Sequence, residues 1–256
     1  MEHLIHALTL ALVQGILEWF PVSSSGHLIL VQTLLSYEPG LLFDVSLHFG
    51  TLMAVFVYFG KDIVNIIRDL LSRKFHTDNS KLGIFLFIAA IPVAITGFFL
   101  QKFVEEIFDS IFLLAIGFGI TSLLLFLGNL APKKSEKLSW KIALLIGCAE
   151  IFSLFRGVSR SGSTVVTGLW LGLNEKEAIK FSYLTSIPLI FGANIFLIGN
   201  KTLPSELLWA TLLAFGVSLA VMHFSFTYVL NKRENLKWLG LYVLIIAIVT
   251  GVGSFF

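Results

Sequence analysis

Val22-Ser-Ser-Ser-Gly26, near the start of the chain, reads almost like Val158-Ser-Arg-Ser-Gly162, which lies 136 residues further on in a chain of 256. Both segments interrupt hydrophobic stretches, Leu4–Leu35 and Trp140–Leu173, where Pro, Gly and Ser are too dense for one continuous helix. Each stretch is therefore predicted to be a helical hairpin with a polar tip. The recurrence predicts one domain, residues 1–256, built from repeat halves at about 1–131 and 137–256.

The composition indicates an integral membrane protein. Hydrophobic residues make up 56% of the chain and charged residues 13%, and the mean hydropathy of +0.89 exceeds that of water-soluble domains. The net charge is only +2, and the basic residues lie in short loops without interleaved aromatic residues, which argues against a nucleic-acid partner. Cys148 is the single cysteine, so an internal disulfide is excluded, and we expect it to be a small core residue.

A membrane-spanning helix needs about 20 apolar residues to cross a hydrocarbon core of roughly 30 Å. Six segments meet this requirement, three after each hairpin. Because three crossings turn the second half over, the sequence predicts an inverted-topology repeat whose hairpin tips meet near the midplane. The predicted fold is an all-α integral membrane protein with six spanning helices and two re-entrant helical hairpins. The spans are about Phe43–Phe59, Leu82–Leu100, Ser110–Leu130, Glu177–Ile198, Glu206–Leu230 and Trp238–Phe256.

Basic residues concentrate in four loops that this topology places on one face of the membrane, which is therefore predicted to be cytoplasmic. Both termini then lie outside, and the first hairpin enters from the outer face. The segment Lys61–Phe75 has apolar residues at helical spacing, which predicts an amphipathic helix at the cytoplasmic interface. The opposite loops hold only Lys102 and Lys201 among basic residues. The basic residues of the four loops are Lys61, Arg68, Arg73, Lys74, Lys81, Lys133, Lys134, Lys137, Lys141, Lys176, Lys180, Lys232, Arg233 and Lys237.

Polar residues cluster at the two hairpin tips. Gln14 and Glu18 are four residues apart and share one helical face before the first tip. Serine hydroxyls beside a new helix N-terminus form an anion site, and the guanidinium of Arg160 matches the oxygens of a phosphate. We therefore predict that the two tips bind a phosphate together. The tip residues are Ser23, Ser24, Ser25, Gly26 and His27 in the first hairpin and Ser159, Arg160, Ser161, Gly162, Ser163 and Thr164 in the second.

The same residues also have structural interpretations. Ser/Gly breaks in membrane helices serve as packing or hinge points, and Glu18 with Arg160 can form a buried ion pair that joins the repeats. His27 can be a neutral side chain that is hydrogen-bonded at a helix start. Asp44 and His48 either rim the site or, for Asp44, cap the first span. Charged side chains cost roughly 2.5–3.5 kcal/mol to insert in a membrane, which favours a shared polar cavity.

At these tips the chain resembles the undecaprenyl-diphosphatase family, the bacitracin-resistance membrane phosphatases, and the likeness extends over essentially the whole length. Gln14-Gly-Ile-Leu-Glu18 resembles the family element (Glu/Gln)-x-x-x-Glu. Pro21-Val-Ser-Ser-Ser-Gly-His27 resembles its Pro-Val-Ser-Ser-x-Gly-His loop, and Gly157 to Thr164 resembles its Pro-Gly-x-Ser-Arg-Ser-Gly-x-Thr loop. One position departs from the pattern, because Arg156 stands where the family usually has Pro.

The resemblance implies hydrolysis of undecaprenyl diphosphate to undecaprenyl phosphate and phosphate, helped by Mg²⁺ or Ca²⁺, at the outer face of the bacterial plasma membrane. The reaction recycles the lipid carrier of cell-wall synthesis and underlies bacitracin resistance. A diphosphatase needs charge neutralisation of the transferred group and a positioned nucleophile. The residues expected to act are Glu18, Ser24, His27 and Arg160 in catalysis, Ser23, Ser25, Gly26, Ser159, Ser161, Gly162 and Thr164 in phosphate binding, and Glu18 with Gln14 in metal binding.

Several alternatives remain open at this point. The nucleophile is either Ser24 with His27 as its base, His27 itself, or a water molecule that His27 activates. The main rival function is a transporter or flippase of a polyprenyl phosphate lipid, since broken helices in inverted repeats also occur in transporters. The sequence also leaves open whether the chain acts as a monomer or as a homodimer.

Overall fold

The computed structural model of the chain describes residues 2–107, 110–198 and 205–255, and the regular structure in these ranges is helical, as predicted. A 3₁₀ turn covers Ile151–Leu154, a second one covers Arg233–Asn235, and a π-helical turn, Ser225–Val229, continues the tenth helix. The α-helices are α1 (Glu2–Leu17), α2 (Ser24–Leu35), α3 (Leu41–Tyr58), α4 (Gly60–Leu71), α5 (Asp78–Ile107), α6 (Ile111–Asn129), α7 (Trp140–Glu150), α8 (Arg160–Trp170), α9 (Glu175–Ile198), α10 (Ser205–Phe224) and α11 (Leu236–Gly253).

Five helical segments of the described chain are long and apolar enough to cross a membrane, which makes this a multi-pass membrane protein. The remaining predicted span, Glu177–Ile198, falls in α9, which is not among these five. The inner part of α9 carries buried polar residues, Ser182, Thr185 and Ser186, and its first turn carries Glu175 and Glu177. The five segments are Leu41–Tyr58, Asp78–Leu100, Ile111–Asn129, Glu206–Val229 and Arg233–Gly253.

Each predicted hairpin consists of two helices separated by an irregular segment. In the first, Ser23 adopts a left-handed backbone (φ 67°) and caps α2, since its hydroxyl accepts a hydrogen bond from the amide of Gly26. In the second, Ser159 caps α8 by accepting from the amide of Gly162 at 3.0 Å. The two hydroxyl caps fix the direction in which each second helix leaves its tip.

The helix contacts of one half have counterparts in the other. Helices α1, α3 and α5 of the first half correspond to α7, α9 and α10 of the second. Helix α1 packs on α10, and its counterpart α7 packs on α5; likewise α3 packs on α10, and its counterpart α9 packs on α5. Two further contacts join equivalent helices, α3 with α9 and α6 with α11.

Helix α6 supports both tips. A Cβ atom on Gly26 would lie 2.7 Å from Cζ of Phe118, so α2 packs closely against α6. The hydroxyl of Thr121 accepts from the amide of Ser159 and donates to the carbonyl of Gly157, at 2.8 and 2.7 Å. Gly157 has φ 87°, a conformation that glycine adopts without strain. Through these contacts, neighbouring residues of α6 hold both helix breaks close to each other.

Two further expectations concern residues outside the tips. The amphipathic segment is helical over Gly60–Leu71, with Ile66 buried against Gly83 of α5 and Leu71 exposed. Cys148 is exposed, so its assignment to the core is wrong. The adjacent Gly147 takes the close contact with Ala89 of α5, and the next residue on the helix therefore faces away from that contact.

Candidate active site

Glu18 joins the two hairpin tips. It follows the last turn of α1, and its side chain is only 4% exposed. Nη2 of Arg160, the first residue of α8, donates to Oε1 of Glu18 at 3.0 Å. The predicted meeting of carboxylate and guanidinium is thus present in the structure, and it links the first break of the chain to the second.

The other oxygen of Glu18 accepts two more hydrogen bonds. Oγ of Ser24, the first residue of α2, donates to Oε2 of Glu18 at 2.6 Å, and Nε2 of Gln14 donates to the same oxygen at 2.9 Å. Gln14 lies one helical turn before Glu18, as the four-residue spacing predicts. The buried carboxylate therefore has an opposite charge from a guanidinium and hydrogen bonds from a hydroxyl and an amide. A charged group that is removed from water needs such partners.

The second tip is held by α9 and by the first tip. Nη1 of Arg160 donates to the carbonyl of Ser182 at 3.2 Å, and the hydroxyls of Thr164 and Ser182 lie 2.7 Å apart. Oγ of Ser161 donates to the carbonyl of Phe20 at 3.3 Å. The amide of Gly162, predicted to bind phosphate, is engaged by the capping hydroxyl of its own helix. Ser182 was not among the predicted site residues, although it begins the Ser182–Ser186 polar run of α9.

The contacts of His27 are with groups other than Glu18. Its Nδ1 is 2.8 Å from the carbonyl of Ser23, and its Nε2 is 2.9 Å from the hydroxyl of Tyr242 in α11. The imidazole stacks on the Tyr242 ring with a centroid distance of 5.6 Å. Both ring nitrogens are thus engaged, while the hydroxyl of Ser24 donates to Glu18 instead. The structure does not bring the predicted pair of Ser24 and His27 into hydrogen-bond contact.

The imidazole that does reach the carboxylate belongs to His48. Its Nδ1 lies 2.8 Å from Nε2 of Gln14 and 3.4 Å from Oε2 of Glu18. The sequence indicates His48 only as a candidate for the rim of the site, through its four-residue spacing from Asp44. No local sequence pattern encodes the register of α3 against α1, which decides this contact.

A cavity of about 720 Å³ lies beside this cluster. Ser25, which is exposed, and His48 line it, so His48 contacts both the cavity and the buried carboxylate. The segments at its wall come from α2, the loop after α2, α3, the start of α6 and the segment before α8. Its lining residues are Ser25, Leu28, Ile29, Gln32, Thr33, Glu38, Gly40, Leu41, Asp44, Val45, His48, Ser110, Ile111, Leu114 and Arg156.

The described residues include no group of three or more His, Cys, Asp or Glu side chains that could hold a metal ion by themselves. Oε1 of Gln14 is, however, buried without a hydrogen-bond partner, next to the carboxylate of Glu18. An amide oxygen and a carboxylate are hard ligands, and Mg²⁺ sites often combine one or two such groups with substrate phosphates and water. The pair therefore fits a divalent cation whose remaining ligands would come from a bound diphosphate.

Comparison with known proteins gives consistent matches along the chain. Residues 7–249 match the family model described as bacitracin resistance protein BacA. The undecaprenyl-diphosphatase of Trichlorobacter lovleyi is 41% identical over 204 residues, 74% of this chain and 73% of the relative. That of Geobacter sulfurreducens is 42% identical over 207 residues, covering 77% and 76%. Undecaprenyl-diphosphatase 1 of Pseudoalteromonas translucida is 38% identical over 227 residues, covering 86% and 85%.

Proposed function

The chain belongs to the bacitracin resistance protein BacA family, and from that premise we propose that it is a membrane phosphatase acting on undecaprenyl diphosphate. The products are undecaprenyl phosphate and inorganic phosphate, so the enzyme recycles the lipid carrier of peptidoglycan synthesis and contributes to bacitracin resistance. One structural observation supports the proposed hydrolysis directly. The hydroxyl of Ser24 lies 2.6 Å from a carboxylate that is itself paired with Arg160, which combines a nucleophile, a base and an anion-binding group.

The terminal phosphate of the substrate binds at Arg160, whose guanidinium neutralises the charge of the transferred group. Oγ of Ser24 then attacks the terminal phosphorus, and its proton passes to Oε2 of Glu18. The bond from phosphorus to the bridging oxygen breaks, and undecaprenyl phosphate leaves. Water subsequently hydrolyses the phosphoserine, which releases phosphate and restores the hydroxyl. Glu18 takes the role of base in this scheme because both nitrogens of His27 are engaged elsewhere.

The remaining polar groups of the tips support the phosphate. Ser25 is exposed and faces the cavity directly. Thr164, tied to Ser182, fixes the first turn of α8, so that the guanidinium of Arg160 keeps its direction. The further proposed phosphate-binding residues are Ser23, Gly26, Ser159, Ser161 and Gly162, which build the two capped tips.

Glu18 and the partnerless Oε1 of Gln14 are the residues proposed to hold a divalent cation, Mg²⁺ or Ca²⁺. When bound, such an ion withdraws charge from the diphosphate oxygens. The side chains of the two tips have two other roles. They orient the terminal phosphate, and they keep the carboxylate close to the Ser24 hydroxyl.

For the membrane arrangement, the proposal is an inverted-topology repeat with six spans and two re-entrant hairpins in the plasma membrane. The reciprocal helix contacts of the two halves support the repeat. Glu38, Gly40 and Ser110 at the cavity wall belong to connections whose single basic residue is Lys102, which supports a site that opens to the outer face. The polyprenyl chain remains in the bilayer while its diphosphate enters the cavity. Assembly into a homodimer stays a prediction from the sequence.

The function is tested by phosphate release. Purified protein in detergent is incubated with farnesyl or undecaprenyl diphosphate, with and without Mg²⁺, and free phosphate is measured over time. Release that is absent in the Ser24→Ala variant supports the proposal. Movement of a polyprenyl phosphate across vesicle membranes without any release would instead indicate a flippase, the alternative that the named relatives do not favour.

A further inference from the structure

We infer that His48 and Arg156 form an outer anion subsite that holds the lipid-linked phosphate of a polyprenyl diphosphate, while the terminal phosphate lies at Ser24 and Arg160. The inference rests on the proposed function and adds to it a division of the two phosphates between two groups of residues. It begins from the position of His48, which lines the cavity and also contacts the buried carboxylate.

The hydrogen bonds around Gln14 determine which nitrogen of His48 faces a ligand. Nε2 of Gln14 has two hydrogens, and it lies 2.9 Å from Oε2 of Glu18 and 2.8 Å from Nδ1 of His48. A carboxylate oxygen only accepts, so the amide nitrogen is correctly placed between these two partners. With the Gln14 amide in this orientation, Nδ1 of His48 accepts the second hydrogen. The ring proton of this tautomer lies on Nε2, which makes that nitrogen a hydrogen-bond donor.

His48 is accessible where Glu18 is not. The side chain of His48 is 26% exposed and that of Glu18 is 4% exposed. A ligand in the cavity therefore meets the imidazole before it meets the carboxylate. Since Nδ1 is engaged by Gln14, the donor that the imidazole offers to a phosphate oxygen is its Nε2–H group.

Arg156 brings a positive charge to the same cavity. Its backbone is fixed, because a Cβ atom on Gly117 of α6 would lie only 2.1 Å from the Arg156 carbonyl oxygen. Asp44, which lines the cavity too and interacts electrostatically with Arg156, has one oxygen engaged by Nε2 of Gln32 at 2.7 Å. Arg156, Asp44 and Gln32 thus form a polar wall of the cavity. Arg156 stands at the position where the family pattern has Pro.

This polar wall can stabilise the leaving group of the reaction. As the bridging bond breaks, negative charge develops on the lipid-linked phosphate, which is the leaving group. A guanidinium and an imidazole N–H group beside that phosphate stabilise the charge as it forms. The terminal phosphate reaches Ser24 and Arg160 further inside. An outer subsite of this kind selects diphosphates, since a monophosphate fills only the inner position.

The test compares competitive inhibition by inorganic diphosphate and by inorganic phosphate during farnesyl diphosphate hydrolysis in detergent. For Arg156→Gln we expect the inhibition constant of inorganic diphosphate and the KM of the substrate to rise about tenfold, the effect of losing one charge-assisted hydrogen bond. The inhibition constant of inorganic phosphate should stay within about twofold, given that its subsite is unchanged. Arg68→Gln, on the surface of α4, is the matched control and should change neither constant.

His48 is tested through its hydrogen bonds. His48→Leu should weaken inorganic diphosphate binding as Arg156→Gln does, while His48→Gln, whose amide supplies an acceptor and a donor, should retain more of it. Equal losses for both inhibitors, or unchanged inhibition by diphosphate, would overturn the inference. If Arg156→Gln fails to fold, Arg156→Lys keeps the charge and should give an intermediate constant.

Failure of the proposed function itself is distinguishable from failure of the subsite. A wild-type protein that releases no phosphate would contradict the diphosphatase assignment. Calorimetric binding of inorganic diphosphate to the same preparation still tests the subsite, because weaker binding by Arg156→Gln supports it and equal binding overturns it.

Discussion

Arg160 and Glu18 are 142 residues apart in the chain, and their side chains form an ion pair of 3.0 Å between the two broken helices. Both side chains are largely buried, with 17% and 4% exposure. Such a pair is compatible with a purely structural joint and with a catalytic centre. Removing one partner does not separate these roles, because a lone buried charge is costly in either case.

The ion pair can be tested by removing one charge and then both. Arg160→Ala should lower the free energy of unfolding by on the order of 3 kcal/mol, since the carboxylate is left unpaired. Its phosphate release should fall at least about 100-fold. The double variant Glu18→Gln with Arg160→Gln should regain much of the stability and remain inactive. Thermal unfolding in detergent and phosphate release are the two measurements, and an active double variant would show that the pair is only structural.

Ser24 and His27 are predicted to differ sharply when substituted. Ser24→Ala should abolish turnover, as it removes the hydroxyl that donates to Glu18. His27→Gln keeps polar atoms for the Ser23 carbonyl and the Tyr242 hydroxyl, so we expect a loss of about tenfold or less. Rapid quenching and mass spectrometry should detect a phosphoryl group on Ser24 in the wild type. A phosphoryl group on His27, or none together with an active Ser24→Ala variant, would contradict the scheme.

The positions of the helix breaks follow from the sequence, and so does the meeting of the two tips. Pro21 and the dense Ser and Gly residues leave backbone that no long helix accommodates, and unpaired backbone at membrane depth must be enclosed by protein. Glu18 and Arg160 then become natural partners. The caps of Ser23 and Ser159 also follow from local chemistry, because a serine before a helix start accepts from the third amide.

Contacts that depend on register between distant helices were not predictable. His27 reaches Tyr242 of α11 because the first tip packs between α6 and α11, and no local pattern encodes that pairing. His48 reaches Gln14 for a similar reason. Cys148 shows the same limit on a smaller scale, since its exposure depends on which face of α7 meets α5.

Gln14 provides a test of the metal that does not depend on the ion pair. If its partnerless oxygen binds the cation, Gln14→Leu should raise the Mg²⁺ concentration needed for half-maximal activity, and Gln14→Glu should lower it by adding a negative charge. The expected shifts are on the order of tenfold in either direction. The measurement is phosphate release during Mg²⁺ titration after EDTA treatment. Full activity in EDTA would remove the metal from the proposal.

Orientation is testable with single cysteines, after the exposed Cys148 has been replaced by Ala. Glu38→Cys lies at the cavity wall, and Ser72→Cys lies just after α4. In intact bacterial cells, a membrane-impermeant maleimide should label position 38 and not position 72, whereas both should react after the membrane is opened. The reverse labelling in intact cells would place the cavity on the cytoplasmic side and contradict the charge argument.

The packing of the first tip against α6 gives a prediction about stability. In Gly26→Ala the new Cβ atom would lie 2.7 Å from Cζ of Phe118, so α2 must shift or the ring must move. We expect a loss of about 1–3 kcal/mol of unfolding free energy, the usual cost of overpacking. Gly119→Ala is the matched control on α6, where a Cβ atom meets nothing within 4 Å, and it should stabilise the helix by about 0.5–1 kcal/mol.

A second substitution separates steric overlap from other effects of Gly26→Ala. Phe118→Leu removes the ring atom that the new methyl group would meet, so the double variant should recover part of the lost stability. The measurement is thermal unfolding, in one detergent, of the wild type, Gly26→Ala, Phe118→Leu and the double variant. Because Ser24 begins the same helical turn, activity should follow stability in this series. Equal melting temperatures for Gly26→Ala and Gly119→Ala would mean that α2 does not pack on α6 as described.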